Sequence, residues 1–252
     1  MGNQPGMTTP TRPLRALALV CTLTPSPAES SSQLIADQVL AALAEHGVSG
    51  DSVRLVDHDV KPGVLVDMGP GDEWPSIRER MLAADVLVVA TPTWMGQHSS
   101  VAQRAMERLD GELSEKDDEG RLLTYGKVAV VAVVGNEDGA HKISADLFQC
   151  LNDVGFTIPA GGVTYWNGEA MQGKDYKDLN ETPKATAAAT KPPRPMLSTW
   201  LGCSKRSNTR RAEYRETGAV LHDSVAIVRI RSAAPRFQLR VELPPPRERR
   251  FP

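Results

Sequence analysis

Three stretches of this chain are so uniformly apolar that they fix its class of fold. Leu14 to Leu23 is a largely apolar run broken at Arg15, Val86 to Ala90 is fully apolar, and Val128 to Val134 is purely aliphatic. A strand with one face in water alternates apolar and polar side chains, whereas a strand covered on both faces does not. Between these strands the spacing becomes helical. Ser30-Ser31-Ser32 opens a pattern of Leu34, Ile35, Val39, Leu40 and Leu43, which Gly47 closes as a C-cap. Ile77 to Leu82 behind Pro75 predicts a second helix, Val101, Ala105 and Leu109 a third, and Ile143, Leu147, Cys150 and Leu151 a fourth, ended by Gly155. Weaker strands are expected at Ser52 to Val56 and Phe156 to Val163. Such alternation implies a parallel sheet with helices on both faces.

Sheets of this kind bind ligands beyond the carboxyl ends of their strands, at the switch point of the winding. The loops after the first, third and fourth strands are therefore the candidates. The first reads Thr22-Leu23-Thr24-Pro25-Ser26-Pro27-Ala28-Glu29-Ser30-Ser31-Ser32. Its hydroxyls and backbone N–H groups converge on a helix N-terminus, where free amides and the helix dipole favour a phosphate. A plain serine-rich helix cap accounts for the same residues. The loop holds no Lys or Arg, so neutral donors would grip the phosphate. Neither GxGxxG nor GxxxxGK[ST] occurs, which disfavours a Rossmann pyrophosphate site and a nucleoside triphosphatase. Two other folds of similar order fail on single residues. A low-molecular-weight tyrosine phosphatase could use Cys21 but needs an Arg where Pro27 stands, and a receiver domain needs an Asp where Ala90 and Thr91 stand.

After the third strand comes Thr91-Pro92-Thr93-Trp94-Met95-Gly96-Gln97-His98-Ser99-Ser100, with a helix entered through Ser99 or Ser100. This stretch resembles the TPxYxG-type flavin loop of the flavodoxin and NADPH-dependent FMN reductase families. A large aromatic such as Trp94 can lie on a flavin ring, and a glycine lets backbone approach the ring's polar edge. The alternative for Trp94 is a loop aromatic packed on the end of the sheet. After the fourth strand, Gly135-Asn136-Glu137-Asp138-Gly139-Ala140-His141 suits close backbone contact with a planar ligand.

The resemblance runs over about residues 14–182 and implies a flavodoxin-like, doubly wound, five-stranded parallel sheet in the order 2-1-3-4-5. It implies that Thr22, Ser26, Ser30, Ser31 and Ser32 surround the phosphate of FMN. Thr91, Pro92, Thr93, Trp94, Met95 and Gly96, with Gly135, Asn136 and Gly139, would then surround its ring. NAD(P)H is the implied co-substrate, and the acceptor a quinone, free flavin or similar small molecule. Because the isoalloxazine carries the redox chemistry, no catalytic residue has to be assigned. His141 and Asp138 read either as proton donors or as caps of the next helix. An electron carrier without substrate turnover is the alternative, its acidic domain suited to basic partners. Relatives that shield the flavin between subunits suggest a homodimer. Tyr165-Trp166-Asn167-Gly168-Glu169-Ala170, after the fifth strand, receives no role.

Composition adds boundaries. Cys21, Cys150 and Cys203 are widely spaced, which fits neither a disulfide framework nor a metal site and suits a reducing cytoplasm. No apolar run approaches the ~20 residues of a membrane helix. The polar opening MGNQPGMTTPTRP is expected to be a disordered segment over residues 1–13 rather than a signal peptide, with Met7 as an alternative start. Residues 1–190 hold 15 Lys and Arg against 26 Asp and Glu, a net −11, whereas residues 191–252 hold 14 against 5, a net +9. The fold demands a fifth helix here, and Thr182 as N-cap with Pro183 at the first helical position opens one, continued by Ala185 to Ala189. Lys191-Pro192-Pro193-Arg194-Pro195 then breaks it.

Back-translating Arg194 to Arg206 permits an amphipathic helix in the neighbouring frame, so a reading-frame shift near Lys191 accounts for the basic tail. On that reading residues 191–252 are an irregular or disordered Pro/Arg-rich segment with no nucleic-acid or membrane partner. The lost helix face would cost roughly 6–15 kcal/mol, at ~1.5–3 kcal/mol per apolar side chain. Poor solubility and weak FMN retention are then expected.

Overall fold

In the computed structural model, residues 13–169 and 173–191 are described. The expectations for a disordered N-terminal segment and for the frame-shifted tail fall almost wholly outside them, on residues 1–12 and 192–252. Within the described part, the three apolar runs form the centre of the sheet. β1 (Arg15–Val20), β3 (Val86–Trp94) and β5 (Val128–Gly135) lie side by side. β2 (Ser49–Arg54) and β6 (Val163–Asn167) are the edges, giving the order β2-β1-β3-β5-β6 with every neighbour parallel. The two-residue strand β4 (Gln97–His98) stands off this path, paired antiparallel to the end of β3. With β4 set aside, the order is the flavodoxin-like one.

Helices cover both faces because each strand points alternate side chains to opposite sides. On one face Leu17, Leu19, Leu87, Val89, Val131 and Val133 pack with α2 (Trp74–Ala83), α3 (Ser100–Leu109) and α4 (Ala140–Asp153). On the other, Ala18, Val20, Val88, Val130 and Ala132 pack with Ile35, Ala36, Val39 and Leu43 of α1 (Ser31–Ala44). The last helix, α5 (Lys184–Thr190), lies against β6 on this second face and buries Thr186 and Thr190.

Three boundaries differ from expectation, each for a physical reason. β2 begins at Ser49 rather than Ser52, and Leu55–Asp57 already turns as a 3-10 segment. An edge strand is held by its ladder with β1, starting at Ser49 N–H to Leu14 C=O (3.0 Å), so its polar Ser49-Gly50-Asp51 start carries no hydrophobic signal. The fifth strand of the core does not run from Phe156. Thr157 makes one bridge opposite Val128, the chain leaves the sheet at Pro159, which has no N–H for the ladder, and Gly162 N–H closes a turn on Pro159 C=O (3.0 Å). β6 resumes at Val163. Finally, Pro183 rather than Thr182 stands at the N-cap of α5, and Thr182 Oγ1 accepts a bond from Gln38 Nε2 of α1 (2.9 Å).

Candidate functional site

The β1–α1 loop enters its helix through Ser30, whose backbone is extended and whose Oγ accepts the N–H of Gln33 (3.4 Å). Thr22 Oγ1 accepts the N–H of Thr24 (3.2 Å), and Ser31 Oγ accepts the N–H of Lys177 (3.2 Å). A hydroxyl whose oxygen takes an N–H keeps its own proton to donate. Thr22, Ser30 and Ser31 therefore offer three O–H donors, the polarity an anion requires. Behind the loop, Arg54 of β2 takes the carbonyl oxygens of Ala28 (2.8 Å) and Thr24 (3.4 Å), groups that would repel an anion. Ser26 is turned the other way. Its N–H and Oγ–H both go to the Asp57 carboxylate (2.8 and 2.5 Å), bonds that hold this carboxyl below its ordinary range.

The stretch after the third strand is a hairpin rather than an open loop. β3 continues through Thr91, Pro92 and Thr93 to Trp94, then reverses into β4 through Met95 (φ 52°) and Gly96 (φ 69°). Two positive φ values in a two-residue turn match the right-handed twist of the flanking strands. The turn is pinned from the next loop: the N–H groups of Met95 and Gly96 both reach the carboxylate of Glu137 (2.9 and 3.2 Å). Thr91 is buried and its Oγ1 accepts the N–H of Ser99 (3.1 Å), the residue that caps α3. Thr93 is buried too, but its Oγ1 has no hydrogen-bond partner. A buried hydroxyl without a partner costs free energy that a bound ligand can relieve.

The two glycines of the β5–α4 loop are explained by protein neighbours. A Cβ on Gly135 would lie 2.6 Å from Thr93 Cβ, and one on Gly139 (φ 132°) would lie 2.8 Å from Gly96 Cα. Gly139 itself caps α4 without any side-chain bond, so Asp138 is not the cap of that helix. His141 Nε2 lies 3.2 Å from the Tyr165 hydroxyl.

These loops enclose a cleft of about 650 Å³, counted out to its open mouth. Of the residues the sequence marked, Thr22, Ser30, Ser31 and Ser32 line one end, with Pro92, Thr93, Trp94, Gly135 and Asn136 along the rest. Ser26, Thr91, Met95, Gly96 and Gly139 do not line it; their contacts brace the loops that do. Sequence reasoning missed the part of the lining that comes from β6 and the chain after it. The half-buried Trp166, at the end of β6, packs its ring 5.5 Å from that of Tyr176, and Tyr176 and Lys177 follow in a 3-10 turn (Tyr176–Asp178). Trp166 sat in a segment marked but given no role, whereas nothing local marked Tyr176 or Lys177. Cys21, the candidate nucleophile of the rejected phosphatase, is buried, which pushes its thiol up to about 12.

A doubly wound sheet whose cleft opens at the carboxyl ends of its three central strands, walled by hydroxyl donors, an orphaned threonine and a tryptophan, defines a flavodoxin-like flavoprotein. The chain belongs to the NADPH-dependent FMN reductase family, whose model matches residues 14–170. FMN is accordingly its cofactor, and the partnerless Thr93 hydroxyl in the lining of the cleft fits a polar, planar guest.

The chain is 32% identical over 172 residues to the 8-demethyl-8-aminoriboflavin-5′-phosphate synthase of Streptomyces davaonensis, covering 65% of this chain and 67% of that protein. It is 37% identical over 169 residues to a protein of Mycobacterium bovis named divalent metal cation transporter MntH, covering 66% of this chain and only 25% of that one. The chain thus spans a quarter of one of these relatives and two thirds of the other. Among solved structures it is similar to RosB with bound 8-demethyl-8-formylriboflavin-5′-phosphate, with a TM-score of 0.66 at 26% identity, over 91% of this chain and 99% of that one. Among the described residues no helix is long and apolar enough to cross a membrane.

Proposed function

We propose that this chain is an NAD(P)H-dependent reductase that passes electrons through FMN held in the cleft to a quinone, a free flavin or a similar small acceptor. The observation that carries this reading is the polarity of the three hydroxyls. Thr22, Ser30 and Ser31 each spend an acceptor on a backbone N–H and keep a donor, which suits a phosphomonoester. Ser32 lies beside them, while Ser26 serves the loop through Asp57. Pro92, Thr93 and Trp94 face Gly135 and Asn136 along the part of the cleft given to the ring, with Thr93 Oγ1 as a donor to one of its polar atoms. Glu137 fixes the hairpin against which the ring would lie. Bound FMN would supply hydride and electron transfer; the residues bind it, orient it and keep one wall dry through Trp166.

The test is anaerobic mixing of the FMN-loaded protein with NADPH. Rapid loss of the oxidised flavin's yellow absorbance, restored by a quinone, is expected of a reductase. A protein that stays oxidised until a separate reductase is added is an electron carrier, and the reading falls.

A second reading is favoured by the similarity to the Streptomyces davaonensis synthase and to RosB with its bound flavin derivative. In it a riboflavin-5′-phosphate derivative is the molecule transformed. Mass spectrometry of the flavin recovered after turnover separates the two: an unchanged mass supports a cofactor, an altered one a substrate.

A further inference from the structure

The phosphate end of the cleft has an electrostatic problem that its own loop does not solve. Between Thr22 and Ser32 the one charged residue is Glu29, which lines the cleft with Asp175. From this loop a phosphomonoester would meet only neutral donors, with the carboxylates of Glu29 and Asp175 in the same cleft. Arg54 is spent behind the loop on two carbonyl oxygens. Among the described residues lining the cleft, one is cationic: Lys177.

Lys177 is held in place from two sides. Its N–H donates to Ser31 Oγ (3.2 Å) across a separation of 146 residues. Its neighbour Tyr176 is buried, with the hydroxyl donating to Gln38 Oε1 of α1 (2.6 Å). The turn carrying Lys177 is thus fastened to the first turns of the helix whose N-terminus bounds the phosphate end. The side chain itself has room to act. Its Nζ bonds Asp178 Oδ1 (2.8 Å), a partner whose own side chain is 44% exposed. An ammonium has three donors, so this bond leaves two for another ligand. The bond to Asp178, with the charges of Asp175 and Glu29, pushes the Lys177 amine up and keeps it protonated.

Resting on the FMN reading of the cleft, we propose that Lys177 is the cation of the 5′-phosphate site and makes the cleft select phosphorylated over unphosphorylated flavin. The neutral hydroxyls of the β1–α1 loop orient the phosphate, and Lys177 offsets its charge against Glu29 and Asp175. A site reading only the ring would hold riboflavin as well as FMN; this one does not.

The experiment titrates FMN and riboflavin separately into the full chain, by quenching of flavin fluorescence, for the parent protein and for Lys177→Gln, Lys177→Arg and Asp178→Asn. Lys177→Gln is expected to weaken FMN by about ten- to a hundredfold, the worth of one charge-assisted hydrogen bond, and to leave riboflavin within about twofold. Lys177→Arg recovers most of the loss, and Asp178→Asn binds FMN as tightly as the parent or tighter. Equal weakening of both flavins, a loss in Asp178→Asn matching that of Lys177→Gln, or undiminished FMN binding by Lys177→Gln each overturns the proposal while leaving the reductase reading intact. Failure of the parent protein to bind FMN at all removes that reading and this proposal together.

Discussion

At the scale of single residues, the hydrogen-bonding state of each hydroxyl distinguishes candidate ligand groups from braces. Thr93 makes the sharpest case because its Oγ1 is buried and has no partner in the protein. Replacing it with valine removes a buried, unsatisfied polar atom and keeps the shape. Thr93→Val is therefore expected to leave the flavin-free protein as stable as the parent or more so by up to ~1 kcal/mol, while FMN affinity falls by ~1–3 kcal/mol. Urea titration without flavin and fluorescence titration with it measure the two effects, and a loss in both would make Thr93 a structural hydroxyl. Much at this scale was legible. The run Thr91-Pro92-Thr93-Trp94 and the hydroxyls of Thr22 and Ser30 to Ser32 were visible because a contiguous loop carries its own chemistry. Ser26 was grouped with the phosphate donors, and its bonds to Asp57, 31 residues away, carried no mark in the local sequence. Lys177 was invisible for the same reason, its tie to Ser31 spanning 146 residues.

At the scale of elements, the strands best read from sequence were those buried on both faces, and the worst were the edges. β1, β3 and β5 announce themselves by apolar content, whereas β2 and β6 are held by ladder bonds that leave little mark on side-chain choice. The long connection from β2 to α2 shows how a polar segment is fastened without a hydrophobic pattern. Arg108 of α3, fully buried, donates to the carbonyl oxygens of Leu65 and Lys61 (3.0 Å each) and to Asp72 (2.9 Å), and lies over the ring of Trp74. Burial alone would raise the Asp72 carboxyl. The bonds from Arg108 and from the N–H groups of Met68, Trp74 and Lys61 overcome this and hold it well below the usual carboxylate range. A carboxyl depressed in the folded state stabilises the protein above its unfolded value, near ~3.9, and that contribution fades as the pH falls below it. Arg108→Met is expected to cost ~3–5 kcal/mol at neutral pH by leaving Asp72 buried without its cation. Urea titrations at neutral pH and in acid test both claims: the variant should lose less than the parent on acidification. An equal loss would place the acid sensitivity elsewhere.

At the scale of the whole molecule, the described residues cover the two faces of the sheet unequally. Among them, three helices lie on one face, whereas the other has α1 and the seven-residue α5. An apolar groove bordered by Val39, Leu43, Val130, Val163 and Ala189 runs beside the end of α5. The alternation of strands and helices made the winding legible, but it could not tell that the chain after β6 folds back over the cleft. That return joins the β6 edge of the sheet to the site. Edges with few buried apolar contacts open first, so β6 and α5 should exchange their amide hydrogens faster than β1, β3 and β5. If Trp166, Tyr176 and Lys177 wall the FMN site, the edge cannot open without releasing the flavin. At about a hundredfold excess of FMN over its dissociation constant, openings that release it become rarer by ~2.7 kcal/mol. Hydrogen exchange read by mass spectrometry, with and without FMN, should then show slower exchange in Val163–Asn167 and Lys184–Thr190 as well as in the β1–α1 loop. Protection confined to the loops after β1, β3 and β5, with the edge unchanged, would mean that β6 opens while the flavin stays bound and that its tryptophan is no part of the site.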